Sequence, residues 1–171
     1  MELACTDGAV LGIDVGFSSK GRTTSITLLE WDQSHVRVSS RRTGSDDSTR
    51  AKAIAELVGS RHLLGVALDG PLTKGFAIVP HYRSAEAILS RGEFQKRGKP
   101  GQTSAPTGQQ LHSHATRLAQ LVLANATVAP SSHWEPIHAK RVVEAFPNLF
   151  LAARVWTALG SCGLNACGVA T

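Results

Sequence analysis

Aromatic side chains are scarce in this chain, at 5% of 171 residues, and cysteine is scarcer still, with three. Cys5, Cys162 and Cys167 are an odd number, and the spacing of the last two is unlike common zinc motifs. Reduced thiols without a structural role are therefore expected, rather than a disulfide framework or a zinc finger. No apolar run approaches the roughly 18 residues of a membrane span, so a membrane partner is not expected. The opening M-E-L-A-C-T-D-G lacks the basic-then-apolar form of a signal peptide, which makes cytoplasmic residence the default. Acids are also in the minority. Thirteen Asp and Glu stand against 18 Lys and Arg, and the formal charge of +5 permits an anionic partner without proving one. What is present in ordinary amount is hydrophobic content, 42%, in a length that suits one domain, 1–171, with a core that needs no covalent staple.

The first informative stretch is Val10 to Gly16, V-L-G-I-D-V-G, an apolar strand with a carboxylate in it. Strand alternation sends Leu11, Ile13 and Val15 to one face, and Val10, Gly12, Asp14 and Gly16 to the other. Asp14 thus stands between glycines, which leave room beside it for a cation, a phosphate or a backbone. Further strands are expected over Thr23 to Trp31 and over the H-V-R-V-S-S segment, giving an antiparallel meander with the third strand nearer the edge. Ser45, Asp46 and Asp47 suit a helix start. Ala51, Ile54, Ala55, Leu57 and Val58 follow at helical spacing, with Gly59 as a stop. Leu63 to Leu68 is apolar on both faces, as befits a central parallel strand, and ends at Asp69-Gly70-Pro71. In open α/β sheets that end is where ligands bind.

After an irregular stretch with a short helix around Ser84 to Leu89, T-G-Q-Q from Thr107 reads as a capping box. It opens a helix whose stripe is Leu111, Ala115, Leu118, Leu121 and Val122. His112 and His114 diverge on that helix and should not share a metal. Ala129 to Pro136 reads as a polar turn, K-R-V-V-E-A-F-P as a short strand, and Asn148 to Leu159 as a helix. Glu144 shares a face with Val142 and Phe146, so it needs a cation, hydrogen bonds or a metal; Arg117 is a candidate ion-pair partner. Placing the fourth strand parallel to the first, and the fifth beside the fourth, brings Asp14, Asp69 and Glu144 to one rim. Crowded carboxylates repel unless a cation balances them, and oxygen-only ligands favour Mg²⁺ or Mn²⁺. Lys74, Arg83, Arg91, Lys96, Arg97 and Lys99 lie between Leu72 and Pro106, against only Glu86 and Glu93. That segment reads either as a solvated basic loop or as a phosphate-contacting surface facing the acids.

These residues carry a resemblance. The element order with Asp14 and Asp69 at strand ends resembles the ribonuclease H-like superfamily. More narrowly, G-I-D-V-G, A-L-D-G-P-L, R-S-A-E-A-I-L and V-E-A-F-P look like the DUF429 family, whose members are predicted nucleases. The resemblance runs from Val10 to about Phe150 and rests on the order and spacing of short motifs. It implies an α/β fold with a mixed five-stranded sheet, an antiparallel meander plus two parallel strands, flanked by helices. It implies Asp14, Asp69 and Glu144 as catalytic metal ligands, and Arg83 as a substrate contact; Lys96, Arg97 and Lys99 of the basic segment join it as candidates. DNA or RNA would be the substrate. One departure stands out: ribonuclease H-like enzymes commonly carry another acid on a last helix, and no Asp or Glu follows Glu144 here. Either three carboxylates suffice, the chain is a truncated form, or catalysis has been lost. Two other readings stay open. A strand ending in D-x-G before a hairpin also resembles the phosphate loop of sugar kinases and actin-like ATPases, which use two such domains. A non-catalytic nucleic-acid-binding module of the same fold would keep the basic loop without metal chemistry.

Overall fold

In the first strand, β1 (Gly8–Asp14), Ala9, Leu11 and Ile13 are buried, Gly8, Val10 and Gly12 are half-buried, and Asp14 is exposed. The computed structural model describes residues 7–72, 86–87, 90–92, 103–131 and 140–145. The same alternation continues in β2 (Thr24–Trp31), where Thr24, Ile26 and Leu28 are buried, and in β4 (Gly65–Asp69), where Val66 and Leu68 are. One face of the sheet is thereby apolar and covered. It packs under α1 (Asp47–Val58) and α2 (Pro106–Asn125), which also pack on each other. No described element covers the other face, which carries Val10, Gly12, Asp14, Ser25, Thr27, Ala67 and Asp69.

The architecture is α/β, with a mixed sheet in which β3 (Val36–Thr43), β2, β1, β4, β6 (Arg141–Glu144) and β5 (Ala129–Pro130) follow in spatial order. β1, β2 and β3 form the expected antiparallel meander with β3 at the edge. β4 lies parallel to β1, and β6 parallel to β4. Val36 and Val38 project from the open face, 68% and 64% exposed.

The sheet has six strands where five were expected. The extra one is β5 (Ala129–Pro130), in a stretch that reads in sequence as the start of a polar turn. Its chain runs parallel to β6, with Ala129 N donating to Lys140 O at 2.8 Å and Ser131 N to Val142 O at 3.2 Å. Pro130 falls between these donors, on the outer edge, where a missing N–H costs no ladder bond. The helix boundaries have local causes. Asp46 caps α1 by accepting from Thr49 N at 2.8 Å, and Gly59 ends it with φ +52°. That left-handed value suits glycine. α2 departs from the capping-box expectation: it begins at Pro106, with Ala105 at the cap and no side-chain cap bond. Proline's fixed φ and missing N–H suit the first helical position, so the helix starts one residue before Thr107. Ala115, Leu118 and Val122 are its buried stripe, with Leu111 and Leu121 partly buried beside them.

Among the described residues, Arg50 is the largest side chain buried to 0% exposure. From α1 its Nε donates to Gly44 O at 3.0 Å, and its Nη2 donates to Gly16 O at 2.6 Å and to Thr24 Oγ1 at 2.9 Å. Nη1 lies 3.1 Å from His114 Nδ1 on α2, and since guanidinium can only donate, that ring nitrogen is the acceptor. One cation therefore ties the end of β1, the start of β2, the β3-α1 connection and α2 together. Phe17 stacks on the His114 ring, centroids 6.2 Å apart.

Candidate functional site

Asp14 ends β1 and Asp69 ends β4, and the parallel register pairs them as direct neighbours. Both have the open-face parity, so the carboxylates stand side by side at the carboxyl rim, on strands about 4.8 Å apart. Across β1 from Asp69, Ser25 pairs with Asp14, and Thr27 pairs with Gly12. Gly12, Ala67 and Ala145 are too small to fill this corner, and a groove of about 230 Å³ opens there, walled by Asp14, Asp69, Ser25 and Thr27. A Cβ on Gly12 would meet Thr27 O at 3.9 Å, an ordinary contact, so glycine is not forced there by crowding. Gly16 differs from the sequence expectation. It is buried, and a Cβ there would lie 2.3 Å from Thr23, so close backbone packing rather than ligand room requires glycine.

The turn after Asp69 is held from both sides. His112 Nδ1 donates to Pro71 O at 2.9 Å, which fixes that nitrogen as protonated, and Leu72 N donates to Glu144 Oε2 at 2.9 Å. A Cβ on Gly70 would meet Ala115 at 3.0 Å and Val15 at 3.1 Å, so the turn lies directly against α2.

Of the three expected acids, the register brings Asp14 and Asp69 together and sets Glu144 apart. Glu144 pairs with Leu68, not with Asp69, and so has the parity of the helix-covered face together with Val142. Its carboxylate is occupied by Leu72 N, and Arg117 pairs with Asp47 at 2.5 Å instead. Among the described residues, no group of three His, Cys, Asp or Glu is arranged to hold a metal ion. Glu144 is still close enough to act electrostatically. Burial pushes the Asp69 carboxyl above its ordinary value, and the charges of Asp14 and then Glu144 push it further the same way. No described donor or cation meets the Asp14 or Asp69 side chain.

Because folding holds the Asp69 proton more tightly, Asp69 contributes stability that is complete below the ordinary carboxyl value of 3.8 and is lost as pH rises through the raised one. At neutral pH its ionisation costs stability. Asp69→Asn is therefore expected to melt at a higher temperature than the native chain at pH 7 without divalent cations, and the difference should vanish at strongly acidic pH. Thermal melts across that range check it.

The basic-segment candidates Arg83, Lys96, Arg97 and Lys99, with Lys74, lie outside the described residues, as do the three cysteines and the stretch read as a helix from Asn148. Arg91 is described and exposed. Ser25 and Thr27 are not singled out by the sequence; they belong to the period-2 pattern of β2, whose open-face members are readable once Asp14 fixes which face is open. A second concavity, about 430 Å³, lies at the opposite end of β1 around Gly8, Trp31 and Arg61. Its charges are already satisfied: Glu30 pairs with Arg61 at 2.5 Å, and Asp32 accepts from Ser34 N and His35 N, which hold its carboxyl below the ordinary value. Of these two concavities, the smaller holds the carboxylates that meet no described cation. No described helix is long and apolar enough to cross a membrane. Comparison with protein-family models, curated proteins and solved structures finds no match to this chain.

Proposed function

We propose that this chain is a divalent-metal-dependent nuclease of ribonuclease H-like architecture, related to the DUF429 family, with Asp14 and Asp69 as its metal-holding residues. The observation that carries the reading is the pairing of two carboxylates, without a partner among the described residues, in register, at the carboxyl ends of adjacent parallel strands and over an open groove. The meander followed by parallel strands supports the fold assignment.

The donor set fits Mg²⁺ or Mn²⁺. Mg²⁺ commonly takes one or two carboxylates and completes its shell with water and substrate phosphate oxygens. Two adjacent carboxylates that meet no cation among the described residues, one with a raised proton affinity, offer what such an ion needs. When bound, a cation of this kind polarises a phosphoryl oxygen and lowers the pKa of water. The chain's own residues do the rest. Asp14 and Asp69 fix the position, and the hydroxyls of Ser25 and Thr27 offer donors to a phosphate lying in the groove. Glu144 is a positioning residue: it holds Leu72 N and thereby the turn that carries Asp69. A nucleic-acid strand supplies the phosphodiester.

Incubation of the full chain with single-stranded and duplex DNA and RNA, in Mg²⁺ and in Mn²⁺, tests this. Cleavage that EDTA abolishes is expected. Oligonucleotide binding without cleavage of any of these substrates in either metal would replace the nuclease reading with a binding module.

A further inference from the structure

β3 carries three arginines, and two of them have acidic partners. Arg37 and Arg41 share the helix-side parity, with Arg37 Nη2 3.8 Å from Asp32 and Arg41 Nε 3.7 Å from Glu56. Arg42 has the opposite parity. It is exposed, pairs in register with Ser25, and meets no acid among the described residues. A single row therefore crosses four strands on the open face: Asp69, Asp14, Ser25, Arg42. The neighbouring row is Ala67, Gly12, Thr27, Ser40, where the Thr27 and Ser40 hydroxyls lie 2.8 Å apart. Edge strands carry charge to discourage pairing with other chains, and Arg37 and Arg41 already supply it. That role does not explain why the unpaired arginine lies in line with the acids.

We propose that this row is the track of one phosphodiester strand. The phosphate to be cut lies over Asp14 and Asp69, and a flanking phosphate of the same strand is held by Arg42, with Ser25 between them. This rests on the nuclease reading above. Two strand spacings, about 10 Å, separate the Cα atoms of Asp14 and Arg42. That leaves room for the guanidinium to reach a phosphate other than the one over the acids. The guanidinium fork matches phosphate oxygens in two parallel hydrogen bonds. The charge pattern also gives direction: an anion is repelled from the bare acid pair and attracted at Arg42, so the row holds a strand only when its acidic end is neutralised. Exposed Lys20 and Arg22, in the loop joining β1 to β2, stand at the same end of the sheet and add to the attraction.

The test is fluorescence anisotropy of a short labelled single-stranded oligonucleotide with the full chain in Ca²⁺, repeated over a salt series. Arg42→Gln is expected to weaken binding about tenfold at low salt. It should also flatten the plot of log affinity against log salt by about 0.7, the share of one phosphate contact on a single strand. Arg37→Gln, on the other parity, should change the slope little, and both variants should melt like the native chain. If Arg42→Gln leaves affinity and slope unchanged in a chain that still cleaves, the track is wrong and the nuclease reading stands. If the slope flattens but nothing is cleaved in Mg²⁺ or Mn²⁺, Arg42 remains a phosphate contact and the nuclease reading falls. No binding and no cleavage would remove both.

Discussion

Arg50→Met is expected to destabilise the chain by about 3–5 kcal/mol, the largest loss of any single substitution considered. Methionine fills much of the volume but removes the donors that now reach Gly44 O and His114 Nδ1, and it strips Gly16 O and Thr24 Oγ1 of their charged donor, leaving them only the bonds that Gly16 and Thr24 make with each other. Each is a contact to a charged donor, and a buried acceptor left empty forfeits its solvation as well as its bond. For a chain of this size such a loss lowers the melting temperature by roughly 10 °C. Arg50→Lys should recover little, since an ammonium cannot reproduce a planar fork that reaches four acceptors on separate elements. The same knot makes the fold acid-sensitive. Burial and then the Arg50 charge hold His114 below its ordinary value, with Asp47 opposing, so the ring is neutral where it accepts from Arg50. A depressed folded value means that stability is fully present above the ordinary histidine value of 6.5 and is lost as pH falls through the lower one. Denaturant melts of the native chain and the two Arg50 variants check both statements, and a small loss for Arg50→Met would mean that the buried cation is replaceable.

The second large effect is on activity. Asp14→Asn is expected to lower metal-dependent cleavage by more than about 10², because residues one shell out from a metal already cost 10–100-fold. Asp14 is exposed, so the fold should be undisturbed and melting unchanged or slightly raised. Glu144→Gln should behave differently. Its parity separates it from the pair, and the amide oxygen can still accept from Leu72 N, so a loss of no more than about tenfold is expected. Equal losses for the two variants would put Glu144 in the ligand set after all. Rates measured at saturating Mn²⁺ and substrate decide between these outcomes.

Much of this arrangement is legible in the residues. The alternation of Leu11, Ile13 and Val15 against Gly12 and Asp14 gives β1 a covered and an open face, and the apolar Leu63 to Leu68 run before Asp69 implies a central parallel neighbour. Those two facts suffice to place Asp14 beside Asp69, as the register has them. Parity also contains the answer for Glu144, which falls in step with buried Val142 whereas Asp14 falls out of step with buried Ile13. Glu144 ends β6 at the rim expected for it, but with the opposite face parity, which the position of a strand end alone does not give. Arg50 is hidden for another reason. It lies four residues before Ile54 and seven before Leu57, on the buried stripe of α1, but its charge makes a hydropathy pattern pass over it. β5 could not be read, because two residues that include a proline carry no period at all. Arg42 was obscured because β3 runs on to Thr43, beyond the last apolar alternation at Val38.

The central claim is that Asp14 and Asp69 together hold a divalent cation, and calorimetric titration of Mn²⁺ into the apo chain measures that without relying on turnover. The native chain should bind Mn²⁺ with a saturating heat, and Asp69→Asn, whose fold is expected to be at least as stable, should show none above dilution. Undiminished Mn²⁺ binding by Asp69→Asn, or no binding by the native chain, would contradict the assignment.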